Sequence, residues 1–172
     1  FLIKIYLGLK KLPQSFNNNL PSEFISIIVP FRNEAKNILN TLNNLSSQNY
    51  PLDKYEIIFV NDSSTDNSLL LLEKAIKKEN VFVYSVPDDY SINAHKKRAI
   101  RFGIEKSNGE IIVTTDADCI HSRNWLKNLL KFMDEKTGFI SGPVEFKQEA
   151  NYFGKMQRLE FAGLVIAGAG LI

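Results

Sequence analysis

Short apolar runs rich in β-branched residues punctuate the chain, and segments with helical spacing separate them. Phe24–Pro30 (FISIIVP) and Tyr55–Asn61 (YEIIFVN) are continuous enough to predict strands buried on both faces. Between them, Ala35, Ile38, Leu39, Leu42 and Leu45 recur as one face of a helix. A second helix is predicted over Leu69–Ile76, with Asp66 in its first turn, and a third strand over Val81–Val86. Ala99, Ile100, Gly103 and Ile104 then form the inner face of a helix that carries Lys96, Lys97, Arg98 and Arg101 outward. Glu110–Thr115 (EIIVTT) predicts a fourth strand, and a helix from about Ser122 to Met133 follows, with Trp125, Leu126, Leu129, Leu130 and Met133 as its stripe. Gly138–Val144 is expected to return as a fifth strand, ahead of a helix after Tyr152. This alternation predicts an α/β fold: an open, mainly parallel sheet with helices on both faces, Rossmann-like in layout. In such a sheet, ligands sit outside the carboxyl ends of the strands.

The division expected from the pattern is an apolar and basic leader over residues 1–22 and a folded domain over 23–172. The first dozen residues, FLIKIYLGLKKL, are too short to span a bilayer. They read as the trailing end of a membrane helix, a membrane-surface helix or an amphipathic cover. At the other end the run from Phe161 to Ile172 stops without a turn signal, so the domain is expected to continue beyond it. Basic and acidic residues, 21 against 19, are too evenly matched for a nucleic-acid partner held by general electrostatics, so any anion site must be local. The single cysteine, Cys119, excludes an internal disulfide and a cysteine-built zinc site. That points to a reducing compartment, the cytoplasm or the cytoplasmic face of the cell (inner) membrane.

Residues that follow the strands share one edge of the sheet. The first strand delivers Arg32, Asn33 and Glu34, the second Asp62, Ser63 and Ser64, and the fourth Asp116 and Asp118. Asn33, Ser64 and Asp66 are of the types that cap helices, and capping is their expected role. Glu34 divides evenly between a helix terminus and a site. Asp116 and Asp118, one residue apart at a strand end, point the same way and repel each other. A hard divalent cation, Mg²⁺ or Mn²⁺, takes oxygen ligands of this kind and commonly completes its shell with substrate phosphates and water.

Four segments in order carry a resemblance to the family 2 glycosyltransferases. Val29-Pro30-Phe31-Arg32-Asn33-Glu34 resembles the family's V-P-x-x-N-E opening, and Asn61-Asp62-Ser63-Ser64-Thr65-Asp66 its D-D-G-S-T-D segment. Lys96 through Ile104 is similar to K-x-x-A-L-N-x-G-I, and Gly109-Glu110 through Asp116-Ala117-Asp118 to G-E-I-I-x-x-x-D-A-D. The departures are Asn61 for aspartate, Ser63 for glycine and Arg101 for asparagine; they bear on sugar or base preference rather than class. The resemblance implies a GT-A fold and inverting transfer from a nucleotide-diphosphate sugar, a UDP-sugar in most members. The acceptor would be a lipid, polysaccharide or protein in cell-envelope or polysaccharide synthesis, with membrane association of the full-length protein. It implies that Asp62 accepts a hydrogen bond from the base, with Glu34 and the Pro30 backbone framing that pocket together with Arg32. Lys96 would approach the nucleotide, Asp116 with Ala117 would lie at the ribose or the metal's waters, and Asp118 would be the direct metal ligand. The general base of such a transfer is expected beyond Ile172, so this chain should bind a nucleotide yet transfer sugar poorly.

Two rival classes share parts of the pattern. A haloacid-dehalogenase-like phosphotransferase also places D-x-D after a strand, with Asp116 as nucleophile, but Ile120 stands where Thr or Val is wanted. A receiver-type domain gathers carboxylates and a lysine at strand ends without the other motifs. A non-catalytic nucleotide-binding module is the remaining alternative. His121 reads as a polar loop residue opening a helix, Cys119 as packing, and Asp88-Asp89 as a solvated loop. Gln157, Arg158 and Glu160 fall on the last helix, toward the acceptor side.

Overall fold

The structure, a computed structural model, describes residues 6–8, 10, 21–90, 95–142, 144 and 152–169. The strands are β1 (Ile25–Phe31), β2 (Tyr55–Asn61), β3 (Val81–Ser85) and β4 (Ile111–Thr114), all parallel, in the order β3-β2-β1-β4. The helices are α1 (Ile38–Ser46), α2 (Ser68–Ala75), α3 (His95–Glu105), α4 (Trp125–Leu130) and α5 (Tyr152–Ala169), with a 3₁₀ turn at Leu52–Lys54 before β2. Every residue of β1 and β2 is buried, as their largely apolar runs require, with polar Ser26 and Glu56 hydrogen-bonded to each other, whereas the edge strands β3 and β4 are only partly covered.

Connection order fixes the layering. The steps from β1 through α1 to β2, and through α2 to β3, run in one direction; the step through α3 to β4 runs back past β1. Right-handed crossovers therefore set α1 and α2 on one face and α3 on the other. Side-chain alternation agrees. Ile28, Ile58 and Val60 pack with Ala99 and Phe102 of α3, joined by Val86, while on the opposite face Tyr55 donates its hydroxyl to the Leu45 carbonyl of α1 (3.4 Å) and Phe31 meets Phe59 edge to face. Gly103 lets α3 approach: a Cβ there would lie 2.6 Å from Ile28 Cγ2 and 3.0 Å from Val60 Cγ2.

Several boundaries differ from the expectations. Helix α1 starts at Ile38 because Ala35 to Asn37 form a turn. Helix α4 covers only Trp125–Leu130; residues 122–124 turn into it, with the Trp125 amide donating to the Ser122 carbonyl. On α3 the inward aromatic is Phe102, whereas Ile104 is 44% exposed. No strand forms among the described residues of 138–144: Phe139 and Val144 are exposed, so the apolar pattern there has no neighbouring strand to pair with. The chain divides into two compact units, Leu20–Leu130, which holds the whole sheet, and Phe1–Asn19 with Lys131–Ile172, which holds α5. Among the described residues no helix is long and apolar enough to cross a membrane, and the expected apolar leader lies largely outside them.

Candidate functional site

Because β4 lies beside β1 while β2 and β3 lie on its other side, the strand order reverses between β1 and β4. The loops there diverge and leave a crevice at the carboxyl edge. An open cleft of about 260 Å³ occupies it, and Pro30, Phe31, Arg32, Glu34, Asp62, Lys96, Ala99, Asp116, Ala117 and Asp118 line it. Every residue assigned to the site from sequence is in that wall.

Hydrogen bonds between loops fix the wall's geometry. Asn33 sits in the left-handed region at φ 58°, and its side-chain oxygen accepts from the backbone amides of Thr65 (2.8 Å) and Asp66 (3.3 Å). In return, Ser64 Oγ accepts from the Asn33 amide at 3.1 Å, and the Asp66 carboxylate accepts from the Ala35 amide at 3.1 Å. The same carboxylate also accepts from Ser68 at the start of α2, and these bonds, the Ser68 hydroxyl foremost, hold Asp66 below the usual carboxylate range. Asp66 thus meets the first amide of α2 from one residue ahead of its N-cap, Asn67, whereas Asn33 and Ser64 do not bond the helices after their own strands. They tie the loop after β1 to the loop after β2, which is the physical use of an N-E beside an S-T-D. Glu34 Oε2 accepts from Asn37 Nδ2 at 2.9 Å, and its carbonyl starts the turn into α1.

The loop after β4 is held from below. Thr41 of α1 donates its hydroxyl to the Ala117 carbonyl (2.5 Å), and buried Gln48 donates to the Ser122 carbonyl (2.8 Å) and accepts from the Leu126 amide (3.0 Å). His121 is buried at 6% exposure, against the polar loop residue expected. Its Nε2 pairs with Thr115 Oγ1 at 2.8 Å and its ring lies edge-on to Trp125, while Nδ1 has no hydrogen-bond partner among the described residues. Burial lowers its pKa to about 4, so the ring is neutral at pH 7. Burial likewise raises the pKa of the partly buried Cys119 thiol above its ordinary value.

Two ion pairs organise the charges. Lys96 Nζ lies 2.6 Å from Asp116 Oδ1, with both side chains about half exposed (62% and 48%). Arg98 Nε donates to Asp62 Oδ1 at 2.6 Å, with only 14% and 4% exposure, and Arg98 Nη2 donates to Ser63 Oγ at 3.1 Å. Arg98 thus turns toward the site, contrary to its expected outward place. A run of four bases in six residues reads as a solvated face, and nothing in its spacing marks which base meets a buried acid. Among the described residues no group of three or more His, Cys, Asp or Glu gathers as a metal cluster. The donor set is two carboxylates lining one cleft, which suits a hard cation that draws its other ligands from phosphate and water.

These features define an α/β domain with an acidic, lysine-bearing cleft at its switch point, the GT-A arrangement. The glycosyl transferase family 2 model matches residues 26–167, and the chain belongs to that family. Poly-beta-1,6-N-acetyl-D-glucosamine synthase of Staphylococcus aureus is 30% identical over 167 residues, 96% of this chain and 39% of its own length. Glycosyltransferase AglE of Haloferax volcanii is 32% identical over 72% of this chain and 40% of its own. The chain thus spans about two fifths of these relatives. Among solved structures, the Pyrobaculum calidifontis mannosyltransferase PcManGT in complex with GDP-Man and Mn²⁺ matches with a TM-score of 0.64 and 27% identity, over 79% of this chain and 40% of that one. S. aureus TarS in complex with UDP-GlcNAc matches with a TM-score of 0.52 and 30% identity, over 61% of this chain and 29% of that one. Family membership sets the phosphotransferase reading aside.

Proposed function

We propose that this chain forms the donor-binding part of an inverting, divalent-metal-assisted transferase that takes a UDP-sugar and builds a cell-envelope or extracellular polysaccharide at the cytoplasmic face of a membrane. The observation that carries the reading is the convergence of Asp62, Lys96, Asp116 and Asp118 on one cleft at the switch point. The UDP-GlcNAc bound by TarS and the product named for the polysaccharide synthase support donor and acceptor class. The Mn²⁺ in the mannosyltransferase complex supports a divalent ion, Mn²⁺ or Mg²⁺.

In this reading Asp62 accepts an N–H from the base, with Pro30, Arg32 and Glu34 framing the pocket. Asp118 holds the metal directly, with Asp116 and Ala117 beside it at the ribose or the metal's waters. When bound, the ion would neutralise charge that builds on the diphosphate as the glycosyl bond breaks. Lys96 is poised for the same charge: an exposed ion pair is worth little, so Nζ can leave Asp116 for a phosphate oxygen. Inversion requires a general base at the acceptor hydroxyl, and the cleft carboxylates, all on the donor side, are not assigned that part. Calorimetric titration of UDP with Mn²⁺ tests the reading. Saturable binding that is lost in EDTA and in Asp118→Ala is expected; binding that is indifferent to metal contradicts it.

A further inference from the structure

Arg98 is an arginine whose role neither the D-x-D chemistry nor the lysine at position 96 explains. Its guanidinium forks across two consecutive residues of the loop after β2, Nε on Asp62 Oδ1 and Nη2 on Ser63 Oγ. Both side chains of the ion pair are nearly buried, at 14% and 4% exposure, so this pair is far better shielded than the solvent-facing pair of Lys96 and Asp116. Ser63 holds φ 56°, a left-handed conformation that side chains rarely adopt. A serine in that conformation, where glycine would be at ease, presents its hydroxyl to Arg98.

We propose that Arg98 is a positioning residue for base selection: by clamping Asp62 against Ser63 it fixes the carboxylate's orientation at the cleft wall. The inference rests on the donor-site reading above. A carboxylate held as an oriented acceptor opposite ring position 3 favours a base that carries a hydrogen there, as uracil does at N3. It disfavours cytosine, which puts an N3 lone pair against the same oxygen. The guanidinium supplies two directed donors from a rigid plane, so lysine at 98 keeps the charge but not the clamp. Arg98 acts through Asp62, and its signature is a change in the preference between bases rather than a uniform loss of affinity.

The test is to titrate the full chain, with Mn²⁺ present, against UDP and CDP in the wild type, Arg98→Met, Arg98→Lys and Ser63→Gly. The wild type should prefer UDP by about tenfold or more, since a site built to pair with an N–H rejects the analogue that lacks it. In Arg98→Met the ratio should fall to about threefold or less while affinity for inorganic pyrophosphate with Mn²⁺ stays unchanged; in Arg98→Lys it should stay well below that of the wild type. Ser63→Gly removes one anchor at a position where glycine is conformationally at ease, so it should fold even if Arg98→Met does not, and it should lower the ratio part of the way. An unchanged ratio in Arg98→Met, or in Ser63→Gly where the methionine variant does not fold, overturns the proposal. So does tighter UDP binding in Arg98→Met, which would make Arg98 an occupant of the base site. If the wild type binds neither nucleotide in the presence of metal, the donor-site reading itself fails, a result distinct from either of these.

Discussion

A methyl group added at position 103 would meet Ile28 Cγ2 at 2.6 Å and Val60 Cγ2 at 3.0 Å, both on central strands with no room to retreat. Gly103→Ala should therefore cost about 1–3 kcal/mol by overpacking, read from urea unfolding, although alanine is the better helix former. His121 gives a residue-scale pH dependence. Its folded pKa of about 4 lies below the ordinary value of 6.5, so above 6.5 both states are neutral and its stabilisation is fully present. As pH falls from 6.5 toward 4, only the unfolded chain takes up the proton, and stability should drop by up to about 3 kcal/mol. His121→Asn should flatten that segment of the stability profile; an unaltered slope contradicts the assignment. Burial of this histidine was not legible in the sequence, because a polar residue three positions past a D-x-D gives no sign of the Thr115 hydroxyl and the Trp125 ring that enclose it. Phe102 was missed for a related reason: helical spacing allows either 102 or 104 to face inward, and only the position of α3 on β1 and β2 decides.

At the scale of elements, the strands were legible because full burial on both faces imposes short, mostly apolar runs, as in β1 and β2. Helix starts were less so. Asn33, Ser64 and Asp66 have capping chemistry, but Asn33 and Ser64 spend it on the neighbouring loop and Asp66 divides it between Ser68 and Ala35, and side-chain type cannot distinguish an amide of its own helix from one across a crevice. This brace predicts a specific pattern. Asn33→Ala loses the accepted bonds and also strains a backbone at φ 58°, so it should destabilise by about 2 kcal/mol. Asn33→Gly keeps the backbone at ease and should cost less. Both should weaken UDP binding, since the loops carrying Glu34 and Asp62 lose their common tie; calorimetry on the two variants checks this. The expected fifth strand shows the reverse error, since residues 138–144 have strand-like composition but the described ones find no strand to pair with.

For the whole molecule, crossover handedness and the order β3-β2-β1-β4 place three strand ends around one crevice, and the sequence motifs mark those ends. Residues as distant in the chain as Pro30 and Asp118 therefore line one cleft. Their support was not visible: Thr41 under Ala117 and Arg98 behind Asp62 are ordinary helix residues by pattern, and Gln48 under Ser122 is an ordinary loop residue past α1. The central claim is that Asp116 and Asp118 hold a divalent ion that in turn holds a donor's diphosphate. Crystals grown with UDP and Mn²⁺, measured at a wavelength where manganese scatters anomalously, test it most directly. The account predicts one strong anomalous peak within bonding distance of an Asp118 oxygen and of the diphosphate; UDP seated in the cleft with no manganese beside Asp118, or manganese bound elsewhere, would contradict it.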